Sequence, residues 1–328
     1  MLGRVLAVLA VVAAWSLLHP SAAHAWTPGT HIYLGEAVLA NLRLLPPSIA
    51  QLLQSFPFDY LYGTIAPDTS IAKKYVPPGR HSHFWHVGQE TFDYAPTDAL
   101  KAFGLGYLSH LAADTVAHNY FVPRQLVLTA STRSMGHSYW ESRAETQLGH
   151  SWAKKAREII QLDQRAADKH LERIVSPTLF SVKTNRRIFR GMVHLTHTKS
   201  WQRAMQAATD RSRWLLNEQD VERHLRIAYD LTVELLGGLE QGDETRARGL
   251  DPNGAQALRA AKRLRRKELG LGTLGSPTRL LELAEERFGA RQLELGYWNE
   301  SRITRPWADR PGITHAPASG PLAISSGE

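Results

Sequence analysis

The 328-residue chain contains no cysteine. That excludes disulfides, thiolate metal sites and thiol nucleophiles together, so any metal here is held by nitrogen and oxygen. Acid is scarcer than base, with 31 Asp and Glu against 39 Lys and Arg, a net charge of +8. A modest basic excess suits anionic partners such as phosphodiesters or lipid headgroups, and it serves solubility equally well. No stretch alternates convincingly at period two and there is no internal repeat. After the first 25 residues no apolar run approaches the ~20 residues that span a bilayer. What remains is helical periodicity, and the expected fold is all-α.

Residues 1–25 read as a secretory signal. Arg4 supplies a positive start, Val5 to Leu18 is apolar apart from Ser16, and Ala23-His24-Ala25 is a small-x-small cleavage site. The rival reading, a membrane anchor, needs a longer run without Pro20. Cleavage leaves 303 residues beginning at Trp26, with a net charge of +7, and predicts a soluble protein outside the cytoplasm, periplasmic or extracellular. It also creates a free α-amine. Such an amine titrates near ~7.7–8.0, and with its own carbonyl oxygen it can chelate a metal.

Ile32 to Ser55 is amphipathic and is expected as two helices broken at Pro46-Pro47. Residues 57 to 96 look loop-rich. Thr97 to Tyr120 is expected to carry a central helix, and Trp140 to Ile174 a second long helical region. Thr184 to Ala208, Glu218 to Leu239, Asn253 to Leu269 and Pro277 to Phe288 complete the helical set. The expected organisation is a main domain over 26–240, a helical extension over 241–297, and a poorly ordered Pro-, Gly- and Ser-rich tail over 298–328. In the extension, Ala255 to Lys267 sets six basic residues beside Leu258 and Leu264. It reads either as a solvated helix packed by its leucines or as a surface resting on anionic membrane.

The chemistry is concentrated in Leu108-Ser-His-Leu-Ala-Ala-Asp-Thr-Val-Ala-His118. His110, Asp114 and His118 are spaced four apart, which on a helix places them along one face with a slow drift. Two imidazoles and a carboxylate in such an array suit divalent zinc. Asp68 follows a Pro turn in Ala-Pro-Asp. His81-Ser-His83-Phe-Trp-His86 offers three imidazoles, of which one or two are candidate ligands. His137-Ser-Tyr-Trp-Glu141 places an imidazole and a carboxylate one turn apart, with Glu145 as an alternative on the same face. Each motif alone reads as ordinary structure: a turn aspartate, a surface histidine loop, a helical ion pair. Together with Trp26 and His31 they make nine potential ligands in the first half of the chain. His150, His170, His194, His197, His224 and His315 form no comparable set. Nine such ligands suit three zinc ions with shared carboxylates.

In this combination the chain resembles the zinc-dependent phospholipase C family, which shares its fold with the fungal single-strand-specific nucleases. The carriers are Trp26 after a signal peptide, His31, Asp68 in Ala-Pro-Asp, Ser82-His83-Phe84, His110-x3-Asp114 and His137-x3-Glu141, and they cover roughly Trp26 to Glu145. The resemblance implies a multi-helix bundle with a trizinc cleft. One zinc would take Asp68, His83, His110 and Asp114. A second would take the Trp26 amine and carbonyl, His31 and the bridging Asp114. The third would take His118, His137 and Glu141. One spacing departs from the family. The third histidine lies about six residues after the bridging aspartate in the secreted phospholipases and nucleases, but His118 lies four after. The shorter spacing also resembles glycosylphosphatidylinositol-specific phospholipase D.

The expectation is therefore a phospholipase C-like phosphoric diester hydrolase that uses metal-activated water, with Asp68 orienting or deprotonating that water. Its substrate would be a phospholipid or another phosphodiester. It would act as a monomer, with peripheral contact to a membrane surface left open and no stable nucleic-acid complex. The alternatives are a single-strand nuclease or 3′-nucleotidase on the same fold, and a non-catalytic exported zinc-binding protein.

Overall fold

A computed structural model describes residues 26–301, apart from 71–75, 77, 78, 130–135, 179, 197, 213, 215 and 271–276. The side chains of a few helical residues, His137 and His150 among them, also lie outside the description. The segment read as a signal, 1–25, and the tail from 302 onward fall outside it as well.

The described chain is helical, with no strand among its residues. It begins with α1 (Pro28–Leu39), α2 (Pro47–Ser55), α3 (Pro57–Gly63), α4 (Trp85–Asp93) and α5 (Asp98–Val116). A π turn over Ala117–Phe121 leads into α6 (Val122–Leu128), followed by α7 (Gly136–Leu148), α8 (His150–Gln161) and α9 (Arg165–Ile174). The remainder is α10 (Val182–Thr196), α11 (Lys199–Asp210), α12 (Glu218–Gly238), α13 (Ala255–Gly270), α14 (Pro277–Phe288) and the short α15 (Tyr297–Glu300).

Two sequence expectations change. The stretch 57–96 holds α3, α4 and a 3₁₀ turn over Ala66–Thr69, because Pro57 starts a helix as readily as proline starts a loop. The long region from Trp140 to Ile174 is three helices, interrupted at Gly149 (φ 91°) and around Asp163. Residues 298–300, expected in the aperiodic tail, lie in α15. Trp298 is buried in α15, and the Asp230 carboxylate accepts the backbone N–H groups of Leu295, Gly296 and Trp298 at 2.7–2.9 Å.

α5 is the axis of the molecule. Thr97 caps it by accepting the Leu100 N–H. From Ala102 to Val116 every residue is buried, which is how a helix apolar or small on all sides behaves. It packs against α3, α4 and α12. The crossing with α3 is close enough to need glycine on both sides. A Cβ on Gly106 would overlap the Tyr60 carbonyl oxygen, and one on Gly63 would overlap the Phe103 carbonyl oxygen. This contact lays the Thr64 carbonyl, at the end of α3, against His110 of α5.

The C-terminal helices share the same core. Ala261, Ala284, Phe288, Leu293 and Trp298 belong to the buried cluster that also holds Trp26, Tyr33 and Phe121. Arg124 of α6 pairs with Asp220 of α12 at 2.6 Å and with Glu285 of α14 at 3.2 Å, and Arg223 pairs with Glu285 at 2.6 Å. Leu258 and Leu264 of α13 pack toward the core, while Arg259, Lys262, Arg263, Arg266 and Lys267 are exposed.

The helix crossing yields the first prediction. Gly106→Ala forces α3 and α5 apart and should cost about 1–3 kcal/mol, the usual range for overpacking a close contact. The urea midpoint of the purified variant measures this, and an unchanged midpoint would show that the crossing tolerates a side chain.

Candidate metal centre

Four segments converge on one carboxylate. α5 presents His110 and Asp114 one turn apart. His31 comes from α1, Asp68 from the Ala66–Thr69 turn, and His83 from the segment ahead of α4. All five side chains are at most 1% exposed. His31 Nε2 lies 3.2 Å from Asp114 Oδ1, while His83 and His110 Nε2 lie 3.1 and 3.2 Å from Oδ2. His83 Nε2 is also 3.3 Å from Asp68 Oδ1. The Nε2 atoms of His83 and His110 face each other at 3.1 Å, and the rings of His31 and His110 stack at 3.9 Å.

These approaches are short, yet neither Asp114 oxygen nor His31 Nε2 makes a hydrogen bond of acceptable geometry. Buried polar atoms normally find such a partner. Two carboxylate oxygens and an imidazole nitrogen left in this state, in a space crowded by further imidazoles, suit a cation between them. The ligand atoms form two groups, His31–Asp68–His110 and His83–His110–Asp114, each within 4.8 Å and sharing His110. Imidazole nitrogen with carboxylate oxygen, and no sulfur, is a donor set that fits zinc.

The surrounding backbone aims the rings. His110 Nδ1–H donates to the Thr64 carbonyl at 2.8 Å, which leaves Nε2 for the shared space. His83 Nδ1 is hydrogen-bonded to Ser82 Oγ at 3.0 Å, and the Tyr107 hydroxyl donates to the Ser82 carbonyl at 2.6 Å.

Electrostatics follow from burial and proximity. Burial lowers the His31 pKa, and the neighbouring His110 lowers it further, so His31 favours the neutral ligand form. Burial also opposes a charge on His110, but the carboxylates of Asp114 and Asp68 outweigh it and raise that imidazole. Burial pushes Asp114 up, but His110 and the close imidazoles of His31 and His83 outweigh it and hold the carboxyl well below its usual range. A divalent cation held here would offset the Asp114 charge.

The other expected ligands are placed differently. The Trp26 indole is buried, stacks on Phe121 at 4.9 Å, and donates Nε1–H to the carbonyl of Ala113, the residue before Asp114. His118 is buried on the π turn with its Nδ1 donating to the Pro252 carbonyl, and Glu141 is buried in α7. Among the described residues these two join no shared ligand group. The helical face expected to carry His110, Asp114 and His118 is broken after Val116, where the π turn changes the register. His137 opens α7, and its side chain lies outside the described residues. His81 Nδ1 accepts the His83 backbone N–H at 3.0 Å, so it shapes the loop that carries His83. His86 is exposed and stacks on Phe84. Thr64 and Tyr107 were invisible to sequence reasoning, since a backbone carbonyl has no side-chain signature and Tyr107 falls in an ordinary apolar stretch.

Glu145 has a separate environment. It lines a cavity of about 450 Å³ together with Thr27, Gly29, Ser142, Trp201 and Arg203. Burial pushes its carboxyl up to about 7, against a hydrogen bond from the Gly29 N–H that favours ionisation.

In comparison with known families, residues 30–180 match the model described as zinc dependent phospholipase C. That span contains all five clustered residues. No curated protein and no solved structure matches the chain.

Glu145 makes stability pH-dependent with a definite sign. Between its ordinary value of 4.5 and about 7 the folded carboxyl keeps a proton that the unfolded chain has lost. Stability from this group is therefore full below that window and declines as pH rises through it. Glu145→Gln cannot ionise, so its melting temperature should gain on the wild type between pH 5 and pH 8, both measured in chelator. An equal difference at the two pH values would contradict a raised Glu145.

Proposed function

We propose, on the match of residues 30–180 to the zinc dependent phospholipase C model, that this chain is a phosphodiesterase cleaving phospholipid on the glycerol side of phosphorus. The observation that carries the proposal is the buried cluster of three imidazoles and two carboxylates, whose atoms lie 3.1–3.3 Å apart around Asp114. His31, Asp68, His83, His110 and Asp114 would hold the metal. Trp26, His118, His137 and Glu141 are proposed to complete the set through the family pattern, with up to three ions. Zinc bound there supplies acidified water and neutralises charge on a phosphoryl oxygen.

The chain's own residues then have distinct tasks. Asp68, beside His83, accepts a proton from the attacking water. The water oxygen bonds to phosphorus, the bond from phosphorus to the glycerol oxygen breaks, and that oxygen leaves with the proton that Asp68 took up. The products are a diacylglycerol and a phosphorylated headgroup. Asp114 and the three imidazoles keep their positions throughout, because burial and the Thr64, Ser82 and Tyr107 contacts fix them before substrate arrives.

The protein is proposed to act outside the cytoplasm, on the reading of residues 1–25 as a cleaved signal. No helix among the described residues is long and apolar enough to cross a membrane. Any adsorption to a bilayer would use the exposed basic face of α13 through charge, since its leucines already face the core.

A paired assay tests the proposal. Purified protein should release phosphorylated headgroup from phosphatidylcholine vesicles in a zinc-dependent manner, and Asp114→Asn should lose at least ~100-fold, as expected for a central ligand. Single-stranded DNA serves as the second substrate. Turnover of DNA without turnover of lipid would replace the phospholipase reading with a nuclease. Full activity of Asp114→Asn would remove the cluster from the chemistry.

A further inference from the structure

The loop over 250–254, Leu-Asp-Pro-Asn-Gly, joins the 3₁₀ turn Arg246–Gly249 to α13. It lies more than a hundred positions beyond His118 in sequence and outside the span that matches the family. Each of its residues nevertheless touches a segment that bears a ligand. The Leu250 carbonyl accepts the Trp85 indole N–H at 2.9 Å. The Asp251 carbonyl accepts Asn119 Nδ2–H at 2.7 Å. The Pro252 carbonyl accepts His118 Nδ1–H, which leaves Nε2 as the ring nitrogen that could ligate. Asn253 Nδ2 donates to the carbonyl of His83 at 3.0 Å. Gly254, at φ +55°, lies so close to the π turn that a Cβ would overlap the His118 backbone.

The loop holds its own shape. Asp251 Oδ1 accepts the Asn253 N–H at 2.9 Å, Oδ2 accepts the Ala255 N–H at 3.3 Å, and the Gly254 N–H donates to the Asp251 carbonyl at 2.9 Å. An aspartate turn closed in this way is stiff. Behind it, α13 is anchored on α6, where Arg265 donates to the Val127 carbonyl at 2.6 Å. A stiff loop on an anchored helix thus grips two chain segments, 83–85 and 118–119, that come from different parts of the fold.

We propose that residues 250–254 are a positioning clip for the metal centre. Asn253 sets the backbone of His83, Pro252 sets the ring of His118, and Gly254 permits the approach. The proposal rests on the metal-centre reading above and adds to it residues of the C-terminal part of the chain. Leu250 also packs against the core, but the directed polar contacts of the loop end on His83, on His118 and on residues near them.

The test uses the full chain, stripped of metal and titrated with zinc alone, then with cobalt as a spectroscopic stand-in. Asn253→Ala and Gly254→Ala are compared with the wild type. Partners that orient metal ligands are typically worth about 10–100-fold in affinity. Both variants should bind zinc weaker by that factor and shift the visible absorption of the cobalt form. The metal-free Asn253→Ala protein should melt within a few degrees of the wild type. Wild-type zinc affinity with an unchanged cobalt spectrum in Asn253→Ala overturns the clip while leaving the metal centre standing. A wild type that takes up neither zinc nor cobalt overturns the metal centre, and the clip with it. Should Gly254→Ala fail to fold, Asn253→Ala alone decides.

Discussion

An ionised carboxylate with no exposure to water is the constraint on which this structure turns. Asp114 lies in the middle of α5, a helix buried almost along its whole length. Burying a lone carboxylate is prohibitive unless charge and hydrogen-bond capacity are returned to it. Three imidazoles approach it from three segments, and each must arrive within about 3 Å. Much of the architecture serves that convergence. Glycines let α3 lie on α5, α1 brings His31, and the turn at Ala66–Thr69 brings Asp68.

The ligand rings are aimed less by one another than by backbone carbonyls and hydroxyls around them. Thr64, Ser82 and Pro252 each engage the ring nitrogen that faces away from the metal side of an imidazole. This arrangement selects a tautomer and holds it before any cation enters. It also spreads the site over the chain, from α1 to the loop ahead of α13. The sequence from 241 onward therefore bears on the site while contributing no proposed ligand.

How much of this could be read from sequence depended on whether a feature has a side-chain signature. The all-helical class was legible in the 3.6-residue pattern. So was the burial of the central helix, from the small and apolar residues between Leu100 and Val116. His110 and Asp114 were legible as a one-turn pair, and the resemblance through Ala-Pro-Asp68 and Ser-His83-Phe brought two more of the clustered residues forward. Proline misled the reading of 57–96, because Pro57 and Pro67 open helical turns there. The π turn at Ala117 was invisible, since nothing in Ala-His-Asn-Tyr-Phe distinguishes it from an α-helix, and it shifts the register in which His118 is presented. Among His81, His83 and His86 the residue pattern left one or two as candidates, and the resemblance favoured His83. The structure separates them by a backbone hydrogen bond, a buried cluster and solvent exposure. Asn253 and Gly254 were read as the start of a helix in the C-terminal extension, because contacts across more than a hundred residues leave no local pattern.

The central claim is that the five side chains around Asp114 form a zinc site. Anomalous X-ray scattering at the zinc edge, from crystals of the purified full chain, tests it most directly. The account predicts anomalous density within about 2.0–2.2 Å of imidazole nitrogens of His31, His83 and His110 and of carboxylate oxygens of Asp68 and Asp114, the usual zinc–ligand distances. Crystals grown with zinc that show this cluster free of anomalous density, with its imidazoles and carboxylates hydrogen-bonded to water, would contradict it.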